Sequence, residues 1–463
     1  MNKVILSTFA LCCLLSCKET EKSTFKHPKN QKNIVLIIAD DLGYHDLGSY
    51  GNTYFETPHL DSLAQQGVQF TNMYSAGHVC SPTSASILTG QYPARVGVTN
   101  YILGKRTDKS SPVDPATYED QLPKNTTTIA ELLKDQGYAT ALMGKWHLGE
   151  NTSFGVSDPK FHGFDTTLGF DYELLPVDET YKWFRINDGS EAYELPHLTN
   201  EITKNAVNYL DTIGTTPFFM TVAHYAVHIP LQGEHELIRK YEGKVNPRPG
   251  EYNATYGAMV ESLDNSVGAI LNALKANGLD NNTLVIFVSD NGGLALGEAG
   301  QQPTTNKPLR SGKGTMYEGG IKVPMIAYHP EYFESGKQDQ RIVSTIDLFP
   351  TFLDFAGLTE EPADTDGVSF LTSQNDTKIN GRPLFWHYPH FSNQGGRPKS
   401  TIRKGSYKLI QSLEDQSVEL FDLSKDPYET NDISATNATV TSELLQELEN
   451  WRNEVNANMP LKK

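Results

Sequence analysis

Two short polar doublets stand directly behind apolar runs: Asp40-Asp41 after NIVLIIA, and Asp290-Asn291 after LVIFVS. Three carboxylates and a carboxamide make an all-oxygen donor set, which suits a hard divalent cation such as Ca2+ or Mg2+. Each doublet alone reads as a turn or a helix cap. Together, at the ends of two buried strands, they read as a metal site. Cys80 brings a different chemistry. Of the four cysteines, Cys12, Cys13 and Cys17 lie in the N-terminal leader, so the body of the chain carries one thiol. A single thiol in an exported protein has no internal disulfide partner, and it oxidises unless it is buried or has a chemical purpose.

Cations and imidazoles follow other apolar runs. In Gly144-Lys145-Trp146-His147-Leu148-Gly149, Lys145 and His147 fall on one side of an extended chain. A cation beside a titratable ring suits an anionic site with proton transfer, although the hexapeptide alone reads as a tight turn. His224 and His228 follow the run Phe218 to Ala223; a histidine by itself there is more often a hydrogen-bonded structural residue. Lys313 sits in Arg310-Ser311-Gly312-Lys313-Gly314-Thr315. Glycine on both sides allows either a surface loop or an arm that carries a cation close to phosphate or sulfate.

These residues need elements to hold them. Asn33 to Ala39 and Leu284 to Ser289 are continuous apolar runs of strand length, the pattern of strands buried on both faces. Phe218 to Ala223, Val323 to Tyr328 and Tyr138 to Met143 are further strand candidates. Helix-like stretches lie between them: His59 to Gln66, Thr128 to Gln136, Glu201 to Leu210 and Tyr256 to Asn277. The alternation predicts an α/β domain with a large, mostly parallel central sheet flanked by helices. Such sheets bind ligands at the carboxyl ends of their strands, where both doublets converge. Short strands at Pro383 to Tyr388, Tyr407 to Gln411 and Glu419 to Leu423, then an amphipathic helix over Ser442 to Val455, predict a smaller C-terminal α+β subdomain. The expected layout is a signal over 1–16, a tether over 17–32, a catalytic domain over 33–375 and the subdomain over 376–463.

The 463 residues carry a formal net charge of −17, which argues against nucleic acid as a partner. An anionic substrate would need a local cationic patch to reverse that field. Lys3 and the apolar run Val4 to Leu15 form a leader too short to span a bilayer comfortably. Leu14-Leu15-Ser16-Cys17 resembles a bacterial lipobox. That implies cleavage before Cys17 and a lipid anchor there as the one membrane attachment, on a protein of the periplasm or outer membrane.

In order along the chain, Asp40-Asp41, Cys80-Ser81-Pro82 with Leu88-Thr89-Gly90, Gly137-Tyr138 through Gly144-Lys145-Trp146-His147, His228, Asp290-Asn291 and Lys313 resemble the formylglycine-dependent sulfatases of the alkaline phosphatase superfamily. The stretch Ile402 to Leu409, with Leu420 to Leu423 and Asp426 to Glu429, fits the same family. The resemblance implies that a maturation enzyme oxidises Cys80 to formylglycine, whose hydrate attacks sulfur. It implies Ca2+ held by Asp40, Asp41, Asp290, Asn291 and the modified Cys80. Lys145 and Lys313 would neutralise sulfate charge, His228 would protonate the leaving alcohol, and His147 would help deprotonate the hydroxyl that expels sulfate. One position departs: the family places arginine four residues after the cysteine, and this chain has Ser84. Arg95 and Arg310 are the candidates for its place by sequence context alone.

The expected substrate is a sulfated carbohydrate, such as ulvan, carrageenan or a glycosaminoglycan, with Tyr181, Trp183 and Phe184 as aromatic candidates for sugar contact. Two other readings stay open at this point: a phosphoester hydrolase on the same scaffold, and a protein that binds sulfated glycan without cleaving it.

Overall fold

The computed structural model describes residues 32–104, 106–149, 158–169, 197–298, 302–371 and 378–463. The leader and nearly all of the tether, the aromatic set Tyr181, Trp183 and Phe184, and the expected boundary at 375/376 lie outside these residues. No helix among them is long and apolar enough to cross a membrane.

The run NIVLIIA forms β1 (Asn33–Ala39). Its side chains alternate between two cores: Val35 and Ile37 pack on one face, Ile34 and Leu36 on the other. That is why the run has no polar side, and each fully buried aliphatic chain is worth roughly 1.5–3 kcal/mol. Around it stand β2 (Val68–Phe70), β3 (Ala139–Gly144), β4 (Thr166–Leu168), β5 (Phe218–Ala223), β6 (Thr283–Ser289), β7 (Met325–Tyr328) and β8 (Lys337–Asp339). They complete an eight-stranded sheet in the order β8-β2-β7-β6-β1-β5-β3-β4. The block from β6 to β4 is parallel, and β7 runs antiparallel to both its neighbours.

Helices α1 (Pro58–Gln66), α4 (Leu198–Thr212) and α5 (Ala254–Ala276) cover one face; α2 (Cys80–Thr89), α3 (Ile129–Asp135) and α6 (Leu348–Ala356) cover the other. The strands and helices expected from hydropathy are present, but α2 carries no such signal. All its residues but Ser84 are buried, so it has no polar face and no amphipathic period. Pro82 fits because it sits in the first turn, where its missing N–H costs no helical bond.

Behind the sheet edge, β9 (Leu384–Tyr388), β10 (Lys399–Lys404), β11 (Tyr407–Ser412) and β12 (Val418–Asp422) form an antiparallel sheet in chain order. Helix α7 (Ala438–Glu454) lays Leu444, Leu448 and Trp451 over Ile402, Leu409 and Leu420. The architecture is therefore the α/β fold with a C-terminal antiparallel-sheet subdomain.

Candidate active site

Strand register builds the site. The pairs Ile38 with Ala223, Ala39 with Ser289 and Gly144 with Ala223 bring the carboxyl ends of β6, β1, β5 and β3 level. The next residue on each strand is Asp290, Asp40, His224 and Lys145 respectively. Backbone hydrogen bonds extend the ladder through them: Asp290 donates to the Ala39 carbonyl (3.0 Å), His224 to that of Ile38 (2.9 Å) and Lys145 to that of Ala223 (2.7 Å).

Asp40 joins two of the expected groups. Its Oδ1 lies 3.3 Å from Cys80 Sγ, and its Oδ2 accepts from Lys145 Nζ at 2.6 Å. Asp41 turns back with a positive φ of 63°, a conformation that Asp tolerates better than most side chains. Its N–H donates to Asp290 Oδ1 (3.0 Å), Oδ1 accepts from Asn291 Nδ2 (2.7 Å), and Oδ2 accepts from Lys313 Nζ (2.8 Å) with His228 Nε2 at 3.6 Å. Lys313 arrives on a loop pressed against the segment after Asn291. Its N–H donates to the Gly293 carbonyl at 3.1 Å, and a Cβ at Gly312 would meet that oxygen at 2.5 Å. Only glycine permits this approach.

Cys80 is the first residue of α2. The first-turn N–H groups of a helix have no intrahelical partners and carry the positive end of its dipole, so the position favours an anion. Burial, reinforced by Asp40, pushes the Cys80 thiol well above its usual range. As cysteine, the side chain is a protonated thiol at neutral pH and a poor nucleophile.

Charge at the site is unequal. Asp40, Asp41 and Asp290 are buried with Lys145 and Lys313. Burial works against ionising Asp40, but Lys145, His228 and Lys313 outweigh it and hold the carboxyl below the usual range. Burial likewise opposes the charge on Lys313, and Asp41, Cys80 and Asp40 reverse that effect. Asp290 goes the other way: burial, Asp40 and Asp41 push its carboxyl well up. A further cation would relieve it. Asn291 Oδ1 is buried with no hydrogen-bond partner, an acceptor of the kind a hard cation takes. Asp40, Asp41, Cys80 and His228 each offer a ligand atom within 4.8 Å of the others. The donor set fits a divalent metal.

All the expected residues except His147 are joined by these contacts. Strand β3 ends at Gly144 and His147 has a positive φ of 50°, so the chain is not extended there. Lys145 turns to Asp40 instead of lying beside His147 on a strand. Neither arginine proposed for the place of the missing one serves it. Arg95 pairs with Asp366 (2.7 Å) and Glu454 (3.1 Å), and Arg310 stacks on Tyr317 (3.7 Å) and donates to the Glu429 carbonyl (2.9 Å). Two supports had no local signal in the sequence. Asp46 accepts from Gly43 N–H (3.0 Å), Tyr256 (2.6 Å) and Thr304 (3.0 Å), and Asn306 clamps both backbone groups of Gly293. Tyr256 and Thr304 lie 210 and 258 residues from Asp46.

The family model described as Sulfatase matches residues 32–358, and the one described as N-sulphoglucosamine sulphohydrolase, C-terminal, matches 311–454. A protein named sulfatase from Formosa agariphila is 34% identical over 94% of this chain and 90% of its own. The N-acetylgalactosamine-6-sulfatase of Rattus norvegicus is 33% identical over 81% of this chain and 70% of its own. The crystal structure of Ps i-CgsB in complex with k-i-k-neocarrahexaose superposes with a TM-score of 0.74 and 30% identity, covering 91% of this chain and 92% of that one. Agreement along nearly the whole length, through both the sheet that builds the site and the subdomain behind it, has one reading: the chain belongs to the sulfatase family and is a sulfuric ester hydrolase.

Proposed function

We propose that this enzyme hydrolyses sulfate monoesters on carbohydrate, using formylglycine made from Cys80 by a maturation enzyme and Ca2+ held by Asp40, Asp41, Asp290, Asn291 and residue 80. One observation carries the reading: Asp40 spans Cys80 Sγ and Lys145 Nζ, so a reactive group at position 80 and a buried cation share one carboxylate at the positive end of α2. The saccharide names of the relatives support the substrate class.

As a hydrate, the aldehyde supplies two hydroxyls on one carbon, one for attack on sulfur and one for release of sulfate. Calcium would supply positive charge where the sulfate oxygens gather. Lys145 and Lys313 are buried beside Asp40 and Asp41, so their ammonium groups are already desolvated and aimed. His228 Nδ1–H donates to the Ile229 carbonyl (2.5 Å), which turns Nε2 toward the site. From there a proton carried by Nε2 would serve the leaving alkoxide, a contribution of about 10²–10⁴ in rate. His147 is the proposed base for the second hydroxyl. Export as a lipoprotein anchored at Cys17 is part of the same proposal, checked by membrane fractionation of a Cys17→Ser protein.

The test couples peptide mass spectrometry across Cys80 with sulfate release. Protein co-expressed with a maturation enzyme is offered nitrophenyl sulfate, nitrophenyl phosphate, 6-sulfated N-acetylgalactosamine and oligosaccharides of carrageenan and ulvan. The expected result is oxidised residue 80, sulfate release from at least one saccharide, and a clear preference for sulfate over phosphate. Full activity with an unmodified thiol, or preference for the phosphate ester, would overturn the proposal.

A further inference from the structure

Ser84 is the one residue of α2 that is not buried, and it borders a cavity behind the nucleophile. It lies one helical turn after Cys80, on the same face. Asp40, Asp290, Lys145, Thr221 and His224 close the polar end of the cavity, and Ile87, Leu88, Leu142, Trp146 and Phe164 form its walls. About 30 Å3 is open to the centre of a water molecule, where one water needs roughly 10–15 Å3. Asp41, His228, Asn291 and Lys313 do not border it, so it lies apart from the side where Lys313 meets Asp41.

We propose that this slot binds a small planar cation rich in N–H donors, of the guanidinium class. Two polar atoms at that end have no partner. Thr221 Oγ1 and His224 Nδ1 are buried, 3% and 1% exposed, with no hydrogen-bond partner. His224 Nε2 is occupied by Ser266 Oγ at 3.0 Å, and burial drops the ring to about 3, so it is neutral. Asp40 pairs with Lys145 there at 2.6 Å, and Asp290 adds a second carboxyl to the same wall. The walls suit the guest as well: a guanidinium is weakly hydrated on its faces and stacks on apolar and aromatic surfaces, whereas a water cluster finds no partners along them. Only the consequence for catalysis, a guest charge behind residue 80, rests on the sulfatase reading.

The test uses full-length protein with Cys80 unmodified, so binding is read without turnover. Millimolar methylguanidinium is compared with its neutral analogue methylurea by thermal unfolding, with a crystal soak of each. Methylguanidinium should raise the midpoint saturably by about 1–2 °C and appear in the slot; methylurea should do neither. Ser84→Arg, which supplies its own guanidinium, should abolish the response, and Thr221→Val should weaken saturation several-fold. Should Ser84→Arg not fold, Thr221→Val decides. An equal response to methylurea, water alone in the slot at saturation, or unchanged binding in Thr221→Val would overturn the proposal. None of these results touches sulfate release, which fails or stands on its own assay.

Discussion

The molecule buries two charge clusters, and they are balanced differently. Between the main sheet and the C-terminal subdomain, Lys408 is completely buried, 3.0 Å from Glu318 and 2.8 Å from Glu429. Tyr74 donates to Glu318 at 2.7 Å, Arg403 reaches Tyr74, and the Glu318 N–H donates to Glu429 at 2.7 Å. Two carboxylates meet Lys408 and Arg403, and Lys322 also acts on Glu318. At the strand ends, three carboxylates meet two ammonium groups, and Asn291 Oδ1 is left without a donor. A balanced buried cluster needs no guest, so it can act as a joint. An unbalanced one, held by the same backbone rigidity, is built to take a cation and then an anion.

The joint should break hardest. Lys408→Met leaves two buried glutamates facing each other, a change that costs about 3–5 kcal/mol when one partner of a buried pair is removed. Urea unfolding measures it, and turnover per folded molecule should change less than about twofold. A loss under 1 kcal/mol would mean that the cluster is not what holds the subdomain. Removing a cation from the unbalanced cluster should act on rate. Lys313→Ala is expected to lower kcat by about 10²–10³, or 2.7–4 kcal/mol of transition-state stabilisation, in a sulfate-release assay. A drop confined to stability would erase the distinction between the clusters.

Calcium sharpens the contrast with a smaller effect. At a hundred times its Kd, a ligand that binds only the native state adds about 2.7 kcal/mol. Thermal unfolding of the protein with Cys80 unmodified should therefore rise with calcium. Asp290→Asn should lose that rise, and Glu429→Gln should keep it. Calcium stabilisation that survives Asp290→Asn places the metal elsewhere.

The unbalanced site was largely legible in the sequence, and the joint was not. Asp40, Asp41, Asp290 and Asn291 follow apolar strands directly, so hydropathy alone puts them at one sheet edge. Lys145 follows a strand for the same reason. The left-handed turn at His147 and the course of α2 were hidden, because a helix buried on every side has no period to read. Strand β10, KSTIRK, is too polar to look interior, yet it lies between β9 and β11. Lys408 and Glu429 sat in a recognised family stretch with no assigned role. Their partner Glu318 is 90 residues from Lys408 and 111 from Glu429, and no local pattern announces such a meeting.

Acid should separate the clusters with the smallest perturbation. Burial opposes ionising Glu318, but Lys408, Arg403 and Lys322 outweigh it and hold the carboxyl at about 2, below its usual 4.5. A depressed carboxyl contributes stability above its unfolded value, and that stability is lost as pH falls from 4.5 toward 2. Asp46, which braces the loop after Asp41, is the opposite case: burial raises it from 3.8 to about 6. Its contribution is complete below 3.8 and is lost as pH rises through 6. Buried His78, His224, His329, His387 and His390, which burial lowers from 6.5 to about 3 or 4, contribute stability that is lost as pH falls below 6.5. Unfolding midpoints should therefore fall on acidification from pH 7, with Asp46 offsetting part of that loss, and fall more steeply below pH 4.5. Asp46→Asn should steepen the loss between pH 7 and 4.5, leaving the opposing contribution of Asp264, which burial also raises to about 6; Glu318→Gln should start lower and flatten the fall below pH 4.5. If Glu318→Gln keeps the full acid limb, protonation acts at another carboxylate and the joint is not the acid-sensitive element.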